Sequence, residues 1–362
     1  MAIYIIVILF AGILILVGAD MAREWSRLSK YNQSPLKIST FDKTDSPYHP
    51  CVKFFPEKWN GYKYWMAETP FCRLTKPYQD RNECPSIHVS NDGINWSEPE
   101  GLKNPLDNFG TDSENSLDFF SDPHLVADGK KMECWYRFTS RHGDKNNYND
   151  VVLLRKTSTN GTDWTEKEII TDLSVGVEKE ALSPAIIKEN NEYIMWYVDN
   201  SKIFVSKITD GHNWTDKEEC TLEGREASPW HIDVVKIDGA YWLVCYDMQR
   251  QELSLWQSIE RNKFTFKTSL LKSCRAIGSF YQCGLYRSTL VKNEDQKYRL
   301  YFSADDYDHT YIGLMEGERI DNLEIVSACG KNFCGATRFT KQYIKTRFRT
   351  AKFITKHLIR KS

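Results

Sequence analysis

The 362-residue chain has little cysteine, no large excess of either charge, and almost no helical periodicity between residues 45 and 326. Its ten cysteines are too few for a disulfide-stapled miniprotein, and none stands in a Cys-x-x-Cys pair of the zinc-ribbon type. Aromatic residues are abundant, with 11 Trp, 19 Tyr and 18 Phe, which excludes disorder for most of the chain. The sequence therefore indicates a globular body without a disulfide scaffold or a structural zinc module.

The net charge of −1 conceals two unlike parts. Residues 331–362 hold ten Lys or Arg and no Asp or Glu, so the remainder of the chain is acidic. An acidic body argues against a groove for nucleic acid, and no nucleic-acid partner is expected. The basic tail repeats apolar residues at helical spacing and predicts a basic amphipathic helix, which either lies on a membrane surface or packs on the body.

The longest apolar run covers residues 2–19, close to the roughly 20 residues that a membrane-spanning helix needs. No Lys or Arg precedes the run, as a signal peptide would require, although Val17-Gly18-Ala19 offers small residues for cleavage. The sequence predicts a single-pass membrane anchor over residues 1–20, and hence a membrane partner, with a cleaved signal peptide as the alternative. Basic residues after the run slightly favour a body on the cytoplasmic face.

Two short motifs recur in the middle of the chain. The first is a turn with Asp or Asn, then Gly, then Trp three residues later, at residues 90–96, 158–164 and 208–214. The second precedes an aromatic strand and occurs five times, at residues 49–53, 122–126, 183–187, 231–235 and 287–291. Its spacings of 73, 61, 48 and 56 residues fit four-stranded blades. The sequence predicts an all-β, five-bladed β-propeller over residues 45–330, with a linker over residues 21–44 and a tail over residues 331–362.

These motifs carry a resemblance to a known superfamily. The segment Ser121-Asp-Pro-His-Leu-Val126, the Asp-Gly-x-x-Trp turns and the five blade repeats resemble the five-bladed propellers of glycoside hydrolase families 43, 32 and 68. Through His49-Pro50 and residues 61–67, the chain also looks like uncharacterised bacterial proteins of polysaccharide loci. The resemblance covers about residues 45–326 and implies a central pocket for carbohydrate, lined by the first residues of each inner strand.

The residues that the resemblance places in this pocket depart from the hydrolase pattern. Those enzymes have a carboxylate base on blade one, a supporting Asp on blade two and a Glu acid on blade three. Asp122 matches the blade-two aspartate, but His49 stands in place of the base, and Leu182-Ser183-Pro184 replaces Glu-Gly-Pro. Glycoside hydrolysis needs one protonated and one ionised carboxyl group, so these changes put the standard mechanism in doubt.

Strand alternation places a second ring of inward side chains two residues further on, and this ring includes His124 and Asp233. The sequence therefore predicts Asp122 and Asp233 as catalytic carboxylates that converge on the axis from blades two and four. The residues predicted to bind substrate are His49, His124, Ser183, His231 and Arg287.

Two other interpretations of these rings stay open. They could form a buried polar network that only closes the propeller axis, or their three histidines and two aspartates could ligate a divalent metal. No cofactor is predicted, because no spacing here is diagnostic of a metal site. The favoured function is a membrane-anchored, glycosidase-like enzyme of surface-polysaccharide metabolism with a carbohydrate partner. The alternative is a glycan-binding propeller that has lost its catalytic carboxylates.

Overall fold

The computed structural model describes residues 2–72, 83–108, 118–140, 150–172, 181–208, 214, 217–330 and 332–359. In these residues five β-sheets follow one another along the chain, as the blade repeats predict. Blade one contains β1 (Pro47–Trp59), β2 (Tyr62–Pro70) and β3 (Ser86–Ser90). Blade two contains β4 (Phe119–Ala127), β5 (Met132–Ser140), β6 (Asp150–Ser158) and β7 (Glu168–Asp172).

The other three blades complete the ring. Blade three contains β8 (Leu182–Glu189), β9 (Glu192–Asp199), β10 (Lys202–Ile208) and β11 (Glu218–Glu219). Blade four contains β12 (Thr221–Glu223), β13 (Pro229–Ile237), β14 (Ala240–Asp247), β15 (Glu252–Ser258) and β16 (Lys263–Lys272), and its β12 joins β16 in parallel. Blade five contains β17 (Gly284–Lys292), β18 (Tyr298–Asp305), β19 (Thr310–Arg319) and β20 (Asn322–Val326). In each blade the first antiparallel strand lies nearest the axis. These inner strands are β1, β4, β8, β13 and β17.

The Asp-Gly-x-x-Trp turns hold neighbouring blades together. In the copy at residues 158–164, the Ser158 hydroxyl accepts the Gly161 N–H at 2.8 Å, and the Trp164 indole donates to the Gly161 carbonyl at 3.0 Å. Gly161 has a φ of 80°, and a side chain there would collide with the ring of Trp65 in blade one. Only glycine fits both the left-handed backbone and this close approach. Residues 209–213 of the third copy lie outside the described residues.

The core consists of side chains packed within and between the blades. Four tryptophans are fully buried, one in each of the first four blades: Trp65, Trp135, Trp196 and Trp256. The ring closes where blade one meets blade five, through side chains and the segment that precedes β1. The Leu36 N–H donates to the Ile312 carbonyl at 2.9 Å, and the His49 N–H donates to the Ser303 hydroxyl at 3.0 Å. These contacts bring the start of β1 against the last blade.

A helix at each end of the chain packs beside blade five. These helices are α1 (Ala2–Leu28) and α2 (Ala336–Ile359). Leu28 of α1 packs with Phe339 and Tyr343 of α2, and the Arg347 guanidinium donates to Asp20 at 2.8 Å. The predicted tail is therefore a basic helix that packs through part of its apolar stripe.

The prediction of a single-pass membrane protein is wrong. Within the described residues, no helix is long and apolar enough to cross a bilayer. The apolar run at residues 2–19 continues without a break into a polar turn that contains Asp20 and Glu24, and both carboxylates pair with Arg347. This end of α1 belongs to a helix pair on the protein body, which a reading of the apolar run alone did not anticipate.

Candidate functional site

The five inner strands begin at the same end of the axis, and each has a break in its pairing register there. In the first three strands the break falls at a residue followed by proline: His49, Asp122 and Ser183. These residues have φ values of 50°, 52° and 56°, in the left-handed region that non-glycine residues rarely adopt. In blades four and five, the breaks fall just before His231 and at Tyr286-Arg287. The bulges present these side chains to the axis.

Three of these side chains form a cluster that could hold a metal ion. His49, Asp122 and His231 each offer a ligand atom, and the three atoms lie within 4.8 Å of one another. Nδ1 of His231 lies 3.4 Å from Oδ1 of Asp122, and the two histidine rings stack at 5.6 Å. All three side chains are buried. The sequence predicted these residues for the pocket, and the structure brings them together.

The ligand atoms of this cluster have no hydrogen-bond partner in the described part of the chain. They are Nε2 of His49, Oδ1 of Asp122, and both ring nitrogens of His231. A buried polar atom without a partner costs about 1–3 kcal/mol, so four at one point are unusual in a purely structural network. Their convergence is typical of a site that binds a ligand.

The protein holds the other side of two of the three ligands, His49 and Asp122. Nδ1 of His49 lies 2.9 Å from the Thr69 hydroxyl, and Oδ2 of Asp122 accepts a hydrogen bond from Arg137 at 2.9 Å. Each of these two ligands therefore has one atom bonded and one atom left for the cluster. This division matches the outer support that orients histidine and carboxylate ligands in metal sites.

The electrostatics also suit a cation. Burial lowers the pKa of His49 to about 3, although the charge of Asp122 opposes the shift. Burial likewise lowers the pKa of His231, against the opposing effect of Asp122. Burial alone would raise the pKa of Asp122, but His231 and Arg137 outweigh it and hold that pKa well below its usual range. The cluster thus combines two neutral imidazoles with a carboxylate, the protonation states that metal ligands need.

A second buried ring lies one step deeper along the axis. Oδ2 of Asp233 accepts the Leu290 N–H at 3.4 Å, and its Oδ1 lies 3.9 Å from Nδ1 of His124. Burial raises the pKa of Asp233, so its environment favours the neutral acid. Asp122 and Asp233 therefore have different partners and opposite pKa shifts, and neither is exposed to solvent. Their predicted roles as a catalytic pair stay a prediction.

The other predicted substrate-binding residues are Arg287, Ser183 and His124, and among their side chains that of Arg287 contacts the cluster. Arg287 lies in the cluster, with NH1 3.3 Å from Oδ1 of Asp122. The Ser183 hydroxyl instead donates to the Ile232 carbonyl at 2.9 Å and so links blades three and four. His124 bonds the Ile186 backbone through Nε2, which makes it part of the wall beneath the cluster.

Sequence reasoning missed Arg137 and Thr69. Arg137 is a buried cation on β5, and the only signal for it is one charged residue in the aromatic run Trp135 to Phe138. Oε2 of Glu83 lies 3.7 Å from Nδ1 of His49, which brings a second carboxylate to the edge of the cluster. A cavity of about 470 Å³ opens at the other end of the inner strands, but no residue of the cluster lines it.

Comparisons with known proteins find relatives of this fold. No family profile matches the chain. The chain is 24% identical to the A type blood N-acetyl-α-D-galactosamine deacetylase of Flavonifractor plautii, over 56% of this chain and 31% of that protein. The chain therefore spans about a third of the length of this curated relative.

Solved structures agree with the fold. An N-acetylgalactosamine deacetylase from F. plautii, in complex with blood group B trisaccharide, superposes with a TM-score of 0.66 at 18% identity, over 79% of this chain and 94% of that one. A xylan β-1,4-xylosidase from Bacillus halodurans has a TM-score of 0.57 at 14% identity, over 81% and 56%. A GH43_1 enzyme from Xanthomonas citri, complexed with xylotriose, has a TM-score of 0.54 at 9% identity, over 87% and 99%. The chain has the five-bladed β-propeller fold that these glycoside hydrolase family 43 enzymes and the deacetylase share.

Proposed function

We propose that this protein is a metal-dependent hydrolase that removes the N-acetyl group from an amino sugar of a glycan. The observation that carries the proposal is the buried cluster of His49, Asp122 and His231, in which Nε2 of His49, Oδ1 of Asp122 and both ring nitrogens of His231 make no hydrogen bond within the described residues. Imidazole and carboxylate ligands in this number suit a first-row divalent ion such as zinc. The likeness to a deacetylase supports the choice of amide hydrolysis.

A two-carboxylate glycosidase fits the site less well. That mechanism needs two carboxyl groups about 5–10 Å apart, with the scissile bond between them. Here Asp122 is ion-paired with Arg137, while Asp233 belongs to the deeper ring. Neither aspartate therefore has the surroundings of an acid that protonates a leaving oxygen in an open pocket.

The chain's own residues divide the work of the reaction. Nε2 of His49, Oδ1 of Asp122 and a ring nitrogen of His231 would hold the ion, while Thr69 and Arg137 orient the first two ligands. When bound, such an ion supplies Lewis acidity and lowers the pKa of water. Glu83, whose Oε2 lies 3.7 Å from Nδ1 of His49 at the edge of the cluster, would take the proton from the attacking water and return it to the leaving nitrogen.

The test is an assay of acetate release from oligosaccharides that contain N-acetylgalactosamine or N-acetylglucosamine, with product masses measured. We expect loss of one acetyl group, inhibition by a chelator, and recovery when zinc or manganese is added. Asp122→Asn removes a ligand charge, and we expect it to lower activity by about 100-fold or more.

The matched control is Asp233→Asn, which alters the deeper ring. We expect it to keep activity within about threefold, since its carboxyl group has no role in the proposed chemistry. Cleavage of a glycosidic bond that depends equally on both aspartates would instead support the two-carboxylate enzyme. Glycan binding with no product under any metal would identify a non-catalytic glycan-binding propeller.

A further inference from the structure

Arg287 is a buried cation in the middle of the propeller. It lies at the register break of β17, between Leu285 and Ser288, and its side chain is 1% exposed. Taking a guanidinium out of water is costly unless its donors are bonded and its charge is compensated. A cation at this position therefore needs an explanation from its contacts.

Those contacts satisfy only part of the guanidinium. NH2 donates to the Pro184 carbonyl at 2.9 Å and lies 3.3 Å from Nδ1 of His124. NH1 lies 3.3 Å from Oδ1 of Asp122 but makes no hydrogen bond, and Nε has no partner in the described residues either. NH2 thus anchors the guanidinium, while the N–H groups of NH1 and Nε remain available to a ligand at the cluster.

His124 keeps the guanidinium in this orientation. Its Nδ1 lies 3.3 Å from NH2 of Arg287, and its Nε2 is fixed by the Ile186 backbone, 2.9 Å from the carbonyl oxygen and 3.0 Å from the backbone nitrogen. His124 is in this way a positioning residue for Arg287.

Pairing with Asp122 does not account for Arg287. The other oxygen of that carboxylate already has Arg137 as a close partner, at 2.9 Å. The oxygen near Arg287 is the one left for the cation site, and two positive charges at one oxygen repel each other. Arg287 and a bound cation can lie this close together favourably when a negatively charged group lies between them.

We propose that Arg287 is a catalytic residue that stabilises the oxyanion formed from the acetyl oxygen of the substrate, a role that rests on the proposed deacetylase function. The water oxygen bonds to the acetyl carbon, its proton goes to Glu83, and the carbonyl π pair moves onto the acetyl oxygen. NH1 or Nε of Arg287 donates to that oxygen. The pair then returns, the C–N bond breaks, the nitrogen takes the proton from Glu83, and acetic acid forms; its remaining proton passes to the amine, so that acetate and the ammonium form of the amino sugar leave.

The experiment compares Arg287→Lys and Arg287→Met with the unaltered protein, by steady-state deacetylation kinetics and by zinc affinity. We expect kcat to fall by about 10²–10³-fold in Arg287→Met, with KM changed less than about threefold. Zinc should bind Arg287→Met as tightly as the unaltered protein or more tightly, because a repelling charge has been removed. Retained zinc binding also shows that the variant has folded with its site intact.

Four results would overturn this role. A raised KM with kcat preserved would mean that Arg287 binds a carboxylate of the substrate in its ground state. Loss of both zinc binding and kcat in Arg287→Met would mean that Arg287 only supports the structure of the cluster. An active unaltered protein whose Arg287→Met variant keeps its kcat would contradict the role of Arg287 alone, whereas an unaltered protein that releases no acetate would contradict the proposed function and this role with it.

Discussion

At the scale of single residues, the most informative feature is the backbone of His49, Asp122 and Ser183. Each has a positive φ and is followed by proline. A non-glycine residue in this region costs about 1–3 kcal/mol, and such strain persists where the surroundings hold it in place. Two of the three residues supply ligand atoms to the cluster, so the strain coincides with the candidate function.

Three histidines on the axis, His49, His124 and His231, couple stability to pH. Burial lowers the pKa of each, for His49 to about 3. Below the unfolded value of about 6.5, the unfolded chain takes up protons that the folded chain does not, so these groups destabilise the fold as pH falls. Asp233 acts in the opposite direction, because its pKa is raised.

The contribution of His49 can be isolated by substitution. With metal removed by a chelator, we expect the unfolding free energy of the unaltered protein to fall between pH 6.5 and pH 4 more steeply than that of His49→Asn. The difference should approach about 1.4 kcal/mol per pH unit, measured by urea denaturation. Equal slopes would mean that His49 is protonated in the folded protein.

At the scale of elements, the two terminal helices form a unit on blade five. Arg338 of α2 pairs with Asp306 at 2.7 Å, and Lys345 pairs with Asp308 at 2.5 Å, so the helix is tied to the loop between β18 and β19. Phe339 is buried against α1, whereas Phe348 on the same helix is 72% exposed. Arg338 and Lys345 of α2 therefore bind acids of the protein itself.

This pair of phenylalanines gives a matched test of the packing. We expect Phe339→Ala to lower the unfolding free energy by about 3 kcal/mol, because it leaves a cavity between α1, α2 and blade five. Phe348→Ala should change it by less than about 0.5 kcal/mol, because its side chain is in solvent. Chemical denaturation checks both values, and similar effects from the two variants would contradict the described packing.

The repeats explain why the blades could be predicted and other features could not. Tight turns and inner strands have characteristic positions of Gly, Trp and proline. The spacing of these residues along the chain therefore predicts the five blades and places His49, Asp122 and His231 at the starts of inner strands. Arg137 approaches the site from the second strand of its blade, and strand spacing does not reveal which buried cation faces which carboxylate. The apolar run before Asp20 was misread for a similar reason, since the pairing of Asp20 with Arg347 joins opposite ends of the chain.

At the scale of the whole molecule, ion pairs cross four of the five blade boundaries on the face opposite the cluster. They are Lys188–Asp128, Lys236–Glu189, Lys292–Asp238 and Lys63–Glu294. Pairs this exposed contribute about 0–1 kcal/mol each, so blade packing dominates the stability of the ring. At the other end of the axis, Asp122, Arg137 and Arg287 form a group of buried charges.

The central claim is that this end of the axis binds a divalent metal. The most direct test is an anomalous difference map from crystals of the protein grown with zinc, recorded at the zinc absorption edge. We predict a peak at the axis, bonded to His49, Asp122 and His231 at about 2.0–2.2 Å. Zinc bound only by other residues, or no peak between these three side chains at saturating zinc, would contradict the account.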